Sequence, residues 1–390
     1  MNRVDLSEAE IVDAHTHPYR LDDLLARDSA GFEARMTFMG ESFDSSSHLD
    51  PGLRSFMQDL AASTMLVQVT LRWLAERLGC EPTREAVTAA RDAAIRADPL
   101  GYTKGLLDAA GVVEVLTEEG YPQPPITRQE FEAAIGVPVH RVARLEPWIL
   151  EHREGGFDDL VDGVEHEAAT AASDPRCVAF KSIIAYRTGL DVTNPGPQEA
   201  TEAYSRWRGD DFRESREHSK PVRDFLLHRA LDVARTHDRP FHIHCGGGDP
   251  DIQLAHARPQ DLWPLLVAHQ HQPVVLIHTG FPWMPEAAYI ASVLPHVYLE
   301  LSELIPWGWS MVDWALEVIL GTAPGIKVLY GSDEVGEPEL LYVSARMGRE
   351  ALERVLGLLV DRDHLTLAEA ERLGADVLAG NARRLHGLGG

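Results

Sequence analysis

Eight short runs of β-branched and aliphatic residues constrain the fold of this chain more than any other feature. Each run ends in polar residues and is followed by helical periodicity, the pattern of repeated βα units around a parallel sheet. Eight such units predict an α/β fold, a (β/α)8 TIM-like barrel. The runs are Ile11 to His17, Gly111 to Leu116, His140 to Leu145, Cys177 to Ile184, Pro240 to His244, Pro273 to His278, His296 to Leu301 and Lys327 to Asp333.

Two intervals are longer than a βα unit needs. Residues from about 19 to 110 have apolar side chains at helical spacing, and residues from about 188 to 235 combine a polar segment with a helix-like stretch. Above the strand ends of a barrel, such insertions act as lids or oligomer contacts, or are solvated helices without a role in chemistry. We expect residues 1–390 to form one barrel with these helical insertions. The capping-box spacing of Thr366 and Glu369 predicts a final helical stretch to about Leu385.

The charge balance limits the classes of partner. With 36 basic and 61 acidic residues, the formal net charge is −25, which repels nucleic acid and anionic lipid and favours a cationic or neutral small-molecule substrate. Three cysteines without CxxC spacing, no apolar leader and no run of about 18 apolar residues predict a cytoplasmic protein without a membrane span. The sequence leaves the oligomeric state open, a homo-oligomer included.

Histidine and aspartate residues at the ends of the runs predict a metal site. His15 and His17 are two apart on one strand, so both side chains point to the same face. His244, His278 and Asp333 end three other runs, and the carboxyl ends of barrel strands meet on one rim. Imidazole and carboxylate bind a divalent ion such as Zn²⁺, and an open position on that ion activates water. We therefore expect a hydrolytic site with one or two divalent ions, zinc first among them.

Lys181 interrupts the apolar fourth run, where a buried ammonium is costly unless it is paired or neutralised. In one interpretation, CO₂ carboxylates the lysine, which then bridges two metal ions as a ligand. In the other, the unmodified lysine pairs with a carboxylate of the site or orients the substrate. The sequence does not choose between them.

Loop residues after the strands are candidates for substrate contact. Tyr186 and Arg187 follow the fourth run, and the guanidinium there holds a substrate carboxylate by a bidentate contact or forms a surface salt bridge. Trp283 follows the sixth run, where barrel loops line the active site, or it packs in the core. His242 is expected one layer below His244, where it supports the site or the core without binding metal.

The motifs around these residues resemble the amidohydrolase superfamily. DAHTH at 13–17, the lysine and histidines that follow and the GSD ending at Asp333 keep its order, and GNARRLHGL at 380–388 is similar to its C-terminal helix. AFKSIIAYRTGL, FHIHCGGGD and YGSDEVGEPE look most like the amidohydrolase-related branch that includes the domain fused to glutamine-synthetase-like domains. The resemblance implies that His15, His17, His244 and Asp333 bind metal. It makes His278 a ligand of a second metal or a catalytic residue that polarises the substrate.

The resemblance leaves the reaction open, because the superfamily contains hydrolases of amides, γ-glutamyl amides among them, as well as decarboxylases and isomerases. The leading hypothesis is metal-dependent hydrolysis of a C–N bond. Asp333 takes a proton from water and delivers it to the departing nitrogen, and His278 stabilises the oxyanion. One alternative is a non-oxidative decarboxylase of an aromatic or unsaturated acid. Another is a catalytically silent barrel that acts as a binding or regulatory module.

Overall fold

A sheet of nine parallel strands forms the centre of the computed structural model, which describes residues 4–27, 31–38 and 54–389. The first seven predicted strands are confirmed within two residues of their predicted bounds, and the eighth is split in two. The strands are β1 (Ile11–His17), β2 (Val112–Glu118), β3 (Val139–Arg144), β4 (Cys177–Ser182), β5 (Phe241–His244), β6 (Val274–Ile277), β7 (Val297–Glu300), β8 (Val328–Leu329) and β9 (Glu334–Val335).

The strand order is β9-β1-β2-β3-β4-β5-β6-β7-β8, so the two edges of the sheet are halves of one chain segment. Asp333, between those halves, has a φ of +55° in the left-handed region, which interrupts the expected eighth strand. The segment nevertheless contacts β1, because Ala14 N donates to Tyr330 O at 3.0 Å and Asp333 N donates to His15 O at 2.9 Å. The predicted (β/α)8 barrel is therefore confirmed.

Helices surround the sheet. In the described residues they are α1 (Leu21–Ala26), α2 (Phe32–Arg35), α3 (Arg54–Ala62), α4 (Met65–Leu78), α5 (Arg84–Ala97), α6 (Pro99–Ala110), α7 (Arg128–Ile135), α8 (Leu145–His152), α9 (Phe157–Ser173), α10 (Ile184–Arg187), α11 (Pro197–Gly209), α12 (Lys220–Thr236), α13 (Trp263–Ala268), α14 (Met284–Val293), α15 (Leu304–Trp307), α16 (Val312–Thr322), α17 (Pro338–Asp361), α18 (Leu367–Ala375) and α19 (Asn381–His386). None of them combines the length and apolar character that crossing a lipid bilayer requires.

The first predicted insertion is helical from α1 to α6, although its residues 28–30 and 39–53 lie outside the described part of the chain. Thr64 and Thr83 begin α4 and α5 with side chains that accept hydrogen bonds from the first turn, and Pro99 begins α6. Helix α6 packs against α17, which follows β9. The insertion is thus attached to the chain just after Asp333.

The second predicted insertion contains α11, whereas α12 is the helix that leads from the fourth to the fifth strand and packs against α9. The predicted capping box is also present: Thr366 and Glu369 bond each other's backbone N–H at 2.8 and 3.3 Å. The tail then continues as helix through α19.

The barrel interior is packed by one apolar cluster, because residues from six different strands can touch one another only inside it. The C-terminal tail contributes Ala379, Ala382 and Leu388 to the same cluster. A packed interior leaves the loops at the strand ends as the place for chemistry. The strand members of the cluster are Val12, Ala14, Leu116, Val142, Val178, Ala179, Val275, Ile277 and Leu329.

Candidate metal centre

The carboxyl ends of the barrel strands bring together all six residues that the sequence nominates as metal ligands. Five of them line a cavity of about 390 Å³, and the sixth, His15, contacts two of these five. The lining residues are His17, Lys181, His244, His278 and Asp333. The convergence expected from the strand ends is therefore present in the structure.

His15, His17 and Asp333 form what we call the first donor set. Asp333 Oδ1 lies 3.0 Å from His15 Nε2 and 3.2 Å from His17 Nε2. A tetrahedral ion with bonds of about 2.0–2.2 Å separates its ligand atoms by about 3.3 Å. Burial raises the pKa of Asp333, but the neighbouring His278 and His15 outweigh burial and hold that pKa well below its usual value. An ionised carboxylate thus stands at metal-ligand spacing from two imidazoles.

His244, His278 and Glu303 form a second donor set. His278 Nε2 is 2.9 Å from His244 Nδ1 and 3.8 Å from Glu303 Oε1. Glu303 is buried, its Oε2 has no hydrogen-bond partner among the described residues, and burial raises its pKa well above the usual value. Glu303 was not among the residues predicted from the sequence, although it comes two residues after the seventh run, close to where the other donors end theirs.

A hydrogen-bond chain orients His278. Its Nδ1 is 2.8 Å from Ser302 Oγ, and that hydroxyl is 2.6 Å from Glu300 Oε2. Glu300 also accepts the backbone N–H groups of His278 and Ser302. On the other side, His244 Nε2 donates to Gly247 O at 2.8 Å, because a carbonyl only accepts. The lone pair of His244 Nδ1 therefore points toward His278.

Two proton arrangements satisfy this chain. Burial raises the pKa of Glu300 to about 8. A protonated Glu300 donates to Ser302, so the Ser302 hydroxyl donates to His278 Nδ1. The Nε2–H of His278 then donates to His244 Nδ1. With Glu300 ionised, Ser302 donates to Glu300, and the facing nitrogens of His278 and His244 both carry lone pairs 2.9 Å apart. The second arrangement requires a cation beside the two nitrogens. The donor chemistry of the site therefore fits a divalent ion.

Lys181 is buried, and its Nζ lies 2.7 Å from His15 Nε2. Burial lowers the pKa of the lysine, and burial together with the Lys181 charge lowers the pKa of His15 to about 4. The Lys181 amine and the Asp333 carboxylate both contact His15 Nε2. A metal ion bound by that nitrogen would therefore displace the lysine contact.

Glu118, at the end of β2, supports the first donor set and was not singled out in the sequence. Its Oε1 is 3.7 Å from His17 Nδ1, and Arg144 Nη1 donates to it at 3.2 Å. Burial opposes ionisation of Glu118, but Arg144 and Lys181 outweigh burial and lower its pKa to about 2. The ionised Glu118 carboxylate therefore lies on the Nδ1 side of His17.

Three donor residues have a left-handed backbone. The φ angles are +66° at His278, +60° at Glu303 and +55° at Asp333. This conformation is unfavourable for residues other than glycine and is concentrated at functional sites. The unfavourable backbone conformations therefore occur at residues that also carry the donor atoms.

Of the predicted substrate residues, Tyr186 and Arg187 line the cavity. The Tyr186 hydroxyl accepts from Asp249 N at 3.0 Å, and its ring centroid is 4.6 Å from that of His244. Trp283 is not among the lining residues; its ring packs under the Arg258 guanidinium, with 5.4 Å to the centroid. Trp283 therefore lies outside the cavity that Tyr186 and Arg187 line.

His242 occupies the lower layer that the sequence predicts. Its Nε2 is 2.9 Å from His386 Nε2 of the C-terminal helix. The glycine-rich loop that follows lies close to the site, since a Cβ on Gly248 would come within 2.0 Å of the Tyr186 hydroxyl. A side chain at this position would thus push the tyrosine off the cavity wall.

Part of the chain matches the model of a known protein family. The model of the Amidohydrolase family matches residues 156–388, which is more than half of the chain. Protein fluG of Emericella nidulans is 28% identical over 338 residues, which cover 78% of this chain and 38% of that protein. The chain thus spans well under half the length of this curated relative.

Solved structures share the fold. A protein of Lactobacillus casei ATCC 334 whose name assigns it to the metal-dependent hydrolases is 24% identical, with a TM-score of 0.82 over 99% of this chain and 98% of that one. Uronate isomerase of Thermotoga maritima is 15% identical, with a TM-score of 0.66 over 97% and 94% of the two chains. From the extent of the family match, we conclude that this chain belongs to the Amidohydrolase family.

Proposed function

We propose that the protein is a metal-dependent hydrolase that cleaves an amide-type C–N bond, a γ-glutamyl amide among the candidates. The observation that carries the proposal is the ionised Asp333 carboxylate within 3.2 Å of both imidazoles of β1, in a cavity that His278 also lines. The arrangement joins metal donors to a proton acceptor, and amide hydrolysis needs both.

The first donor set would hold a divalent ion, for which zinc is our leading candidate because two imidazoles and a carboxylate suit it. Once bound, the ion would supply Lewis acidity for the carbonyl and lower the pKa of water. The second donor set, with Glu303 as its carboxylate, would hold a second ion. His278 also offers a ligand atom within 4.8 Å of those of His15 and Asp333. It would serve only one of the two ions, since its Nδ1 is occupied by Ser302.

The residues of this chain then have distinct tasks. Asp333 accepts a proton from the attacking water as the new C–O bond forms, and it delivers that proton to the nitrogen as the C–N bond breaks. Its contact with His17 fixes the carboxylate during both transfers. The products are a carboxylic acid and an amine, so atoms and charges balance without a further reactant.

We further infer a small-molecule substrate and a reducing, cytoplasmic setting. All three cysteines, Cys80, Cys177 and Cys245, are free in the structure. Burial raises the pKa of Cys177 to about 11, which keeps this thiol protonated and unreactive.

Elemental analysis of the purified protein, followed by a screen of N-acyl and γ-glutamyl amides, tests the proposed function. We expect one or two divalent ions per chain and release of amine from at least one amide. Intact-mass spectra at high bicarbonate test carboxylation of Lys181 separately. Metal-loaded protein that releases CO₂ from aromatic acids but hydrolyses no amide would establish the decarboxylase instead. Protein that retains no metal would indicate a binding module.

A further inference from the structure

Cationic side chains outnumber carboxylates on the cavity wall, although the whole chain is acidic. The carboxylates are those of Asp249, Asp251, Glu303 and Asp333, and the five cations are Arg27, Arg35, Arg144, Arg187 and Lys181. The net charge of −25 therefore does not describe the surface that a substrate meets.

Four of these cations have partners. Arg27 and Arg35 pair with Glu337, Arg144 pairs with Glu118, and the amine of Lys181 contacts an imidazole. Arg187 is the exception: within the described ranges, no hydrogen bond or ion pair reaches its guanidinium. The free guanidinium lies at the end of α10 and is half-buried.

The carboxylates that act on Arg187 from a distance are engaged elsewhere. Glu146 Oε1 accepts from Ser182 Oγ at 2.7 Å and from Ile183 N at 2.9 Å. Glu214 accepts from Arg223 Nε at 2.8 Å. A partly buried guanidinium without a counter-ion is costly, and a bidentate contact with a carboxylate would remove that cost.

Another part of the cavity wall is aromatic. Phe38 and Trp307 line the cavity with their ring centroids 4.8 Å apart, and Phe38 is 37% exposed. The Trp307 indole donates to Met36 O at 3.1 Å, so its ring is fixed. Trp307 follows β7, whereas Arg187 follows β4, so the aromatic and cationic walls come from loops three strands apart on the rim.

We propose that the substrate is an N-aroyl amino acid, whose carboxylate binds Arg187 and whose flat apolar group packs on Phe38 and Trp307. The inference rests on the proposed amide hydrolysis, because the scissile bond must then lie between the two walls, beside the donor sets. A carboxylate and an aromatic ring on either side of an amide match the two surfaces in chemistry.

Binding of three probes to the metal-loaded protein, measured by calorimetry, tests the proposal. The probes are N-benzoylglycine, its neutral analogue N-benzoylglycinamide, which lacks the carboxylate, and N-acetylglycine, which lacks the ring. We expect N-benzoylglycine to bind at least tenfold more tightly than either analogue. Arg187→Gln should weaken N-benzoylglycine at least tenfold and leave N-benzoylglycinamide unchanged.

Arg258→Gln is the matched control, because Arg258 pairs with Glu286 and does not line the cavity. Phe38→Ala should weaken the two benzoyl probes and spare N-acetylglycine. Equal binding of N-benzoylglycine to wild type and Arg187→Gln, or no binding to either, would overturn the inference. Binding that depends on Arg187 without any release of glycine would instead contradict the proposed hydrolysis and leave the substrate-binding inference standing.

Discussion

Asp333 combines the chemical and the structural requirements of the site at the residue scale. Its side chain contacts His15 and His17, and its backbone N–H bonds the His15 carbonyl. Substitution of the side chain alone therefore separates the chemistry from the fold.

Asp333→Asn keeps the size and one oxygen of the side chain but removes the proton acceptor. We expect kcat on any amide substrate to fall by about 10²- to 10⁴-fold, with an unchanged circular dichroism spectrum. Asp313→Asn, in an exposed ion pair with Arg354, is the control and should keep wild-type kcat. Turnover of Asp333→Asn within threefold of wild type would refute the role as base.

Ser302 positions His278 through its hydroxyl, so Ser302→Ala should affect the metal more than the fold. We expect the affinity for zinc to fall by about 10- to 100-fold in competition with a chromophoric chelator, because the imidazole loses its orienting partner. Ser292→Ala on α14, where the exposed hydroxyl bonds Tyr289 O, is the control. Equal zinc affinities in the two variants would contradict this role.

The sequence predicted which residues carry donor atoms better than it predicted which side chains contact one another. His15, His17 and Asp333 were identified because strand ends converge in a barrel, and the structure brings them together. The free Arg187 guanidinium illustrates what is out of reach of sequence patterns. Whether a charge has a partner depends on side chains far away in the chain, and this information exists only after folding.

At the scale of elements, a buried ion network ties the helical insertion to the barrel. Arg91 on α5 is fully buried and pairs with Glu337 Oε2 at 2.7 Å and with Glu339 on α17. The Tyr102 hydroxyl of α6 adds a bond of 2.6 Å to Glu339. The insertion is thus fixed beside the cavity whose Arg27 and Arg35 it supplies.

Arg91→Met should leave the buried Glu339 carboxylate without its counter-ion, whereas Glu337 keeps Arg27 and Arg35. We expect a loss of about 3–5 kcal/mol in the free energy of unfolding, measured in urea. Arg354→Met breaks the exposed pair with Asp313 and should cost less than about 1 kcal/mol. A loss for Arg91→Met no larger than that of the exposed control would show that the network does not hold the insertion.

The elements themselves were mostly predictable, because periodicity and strand-end polarity are local. The first seven strands were located within two residues. The break at Asp333 was not, since KVLYGSD reads as one apolar strand and only the bonds to β1 favour the left-handed turn. A break of this kind depends on hydrogen bonds between segments that are far apart in the sequence.

At the scale of the whole molecule, buried neutral histidines make stability depend on pH. Burial lowers the pKa of His386 in the folded protein to about 4 from its usual 6.5. The unfolded chain therefore binds more protons between these values, and this contribution to stability is complete above pH 6.5 and is lost as the pH falls toward 4.

For His386 alone, the loss between pH 7 and pH 5 should be about 2 kcal/mol. His386→Gln should remove this part of the pH dependence, measured as the difference in free energy of unfolding at the two pH values with a chelator present. His364→Gln is the control, because this histidine is exposed on the surface. Identical pH dependence in wild type and His386→Gln would contradict the assignment.

The split eighth strand places the joint between the two ends of the sheet at the same residue that we assign to proton transfer. An opening of that joint would pull the Asp333 carboxylate away from the His15 and His17 imidazoles, and it need not unfold the outer helices. On gradual heating, the bound ion and the turnover should therefore disappear before the helical signal. The closure of the barrel and the proposed reacting centre thus share one residue.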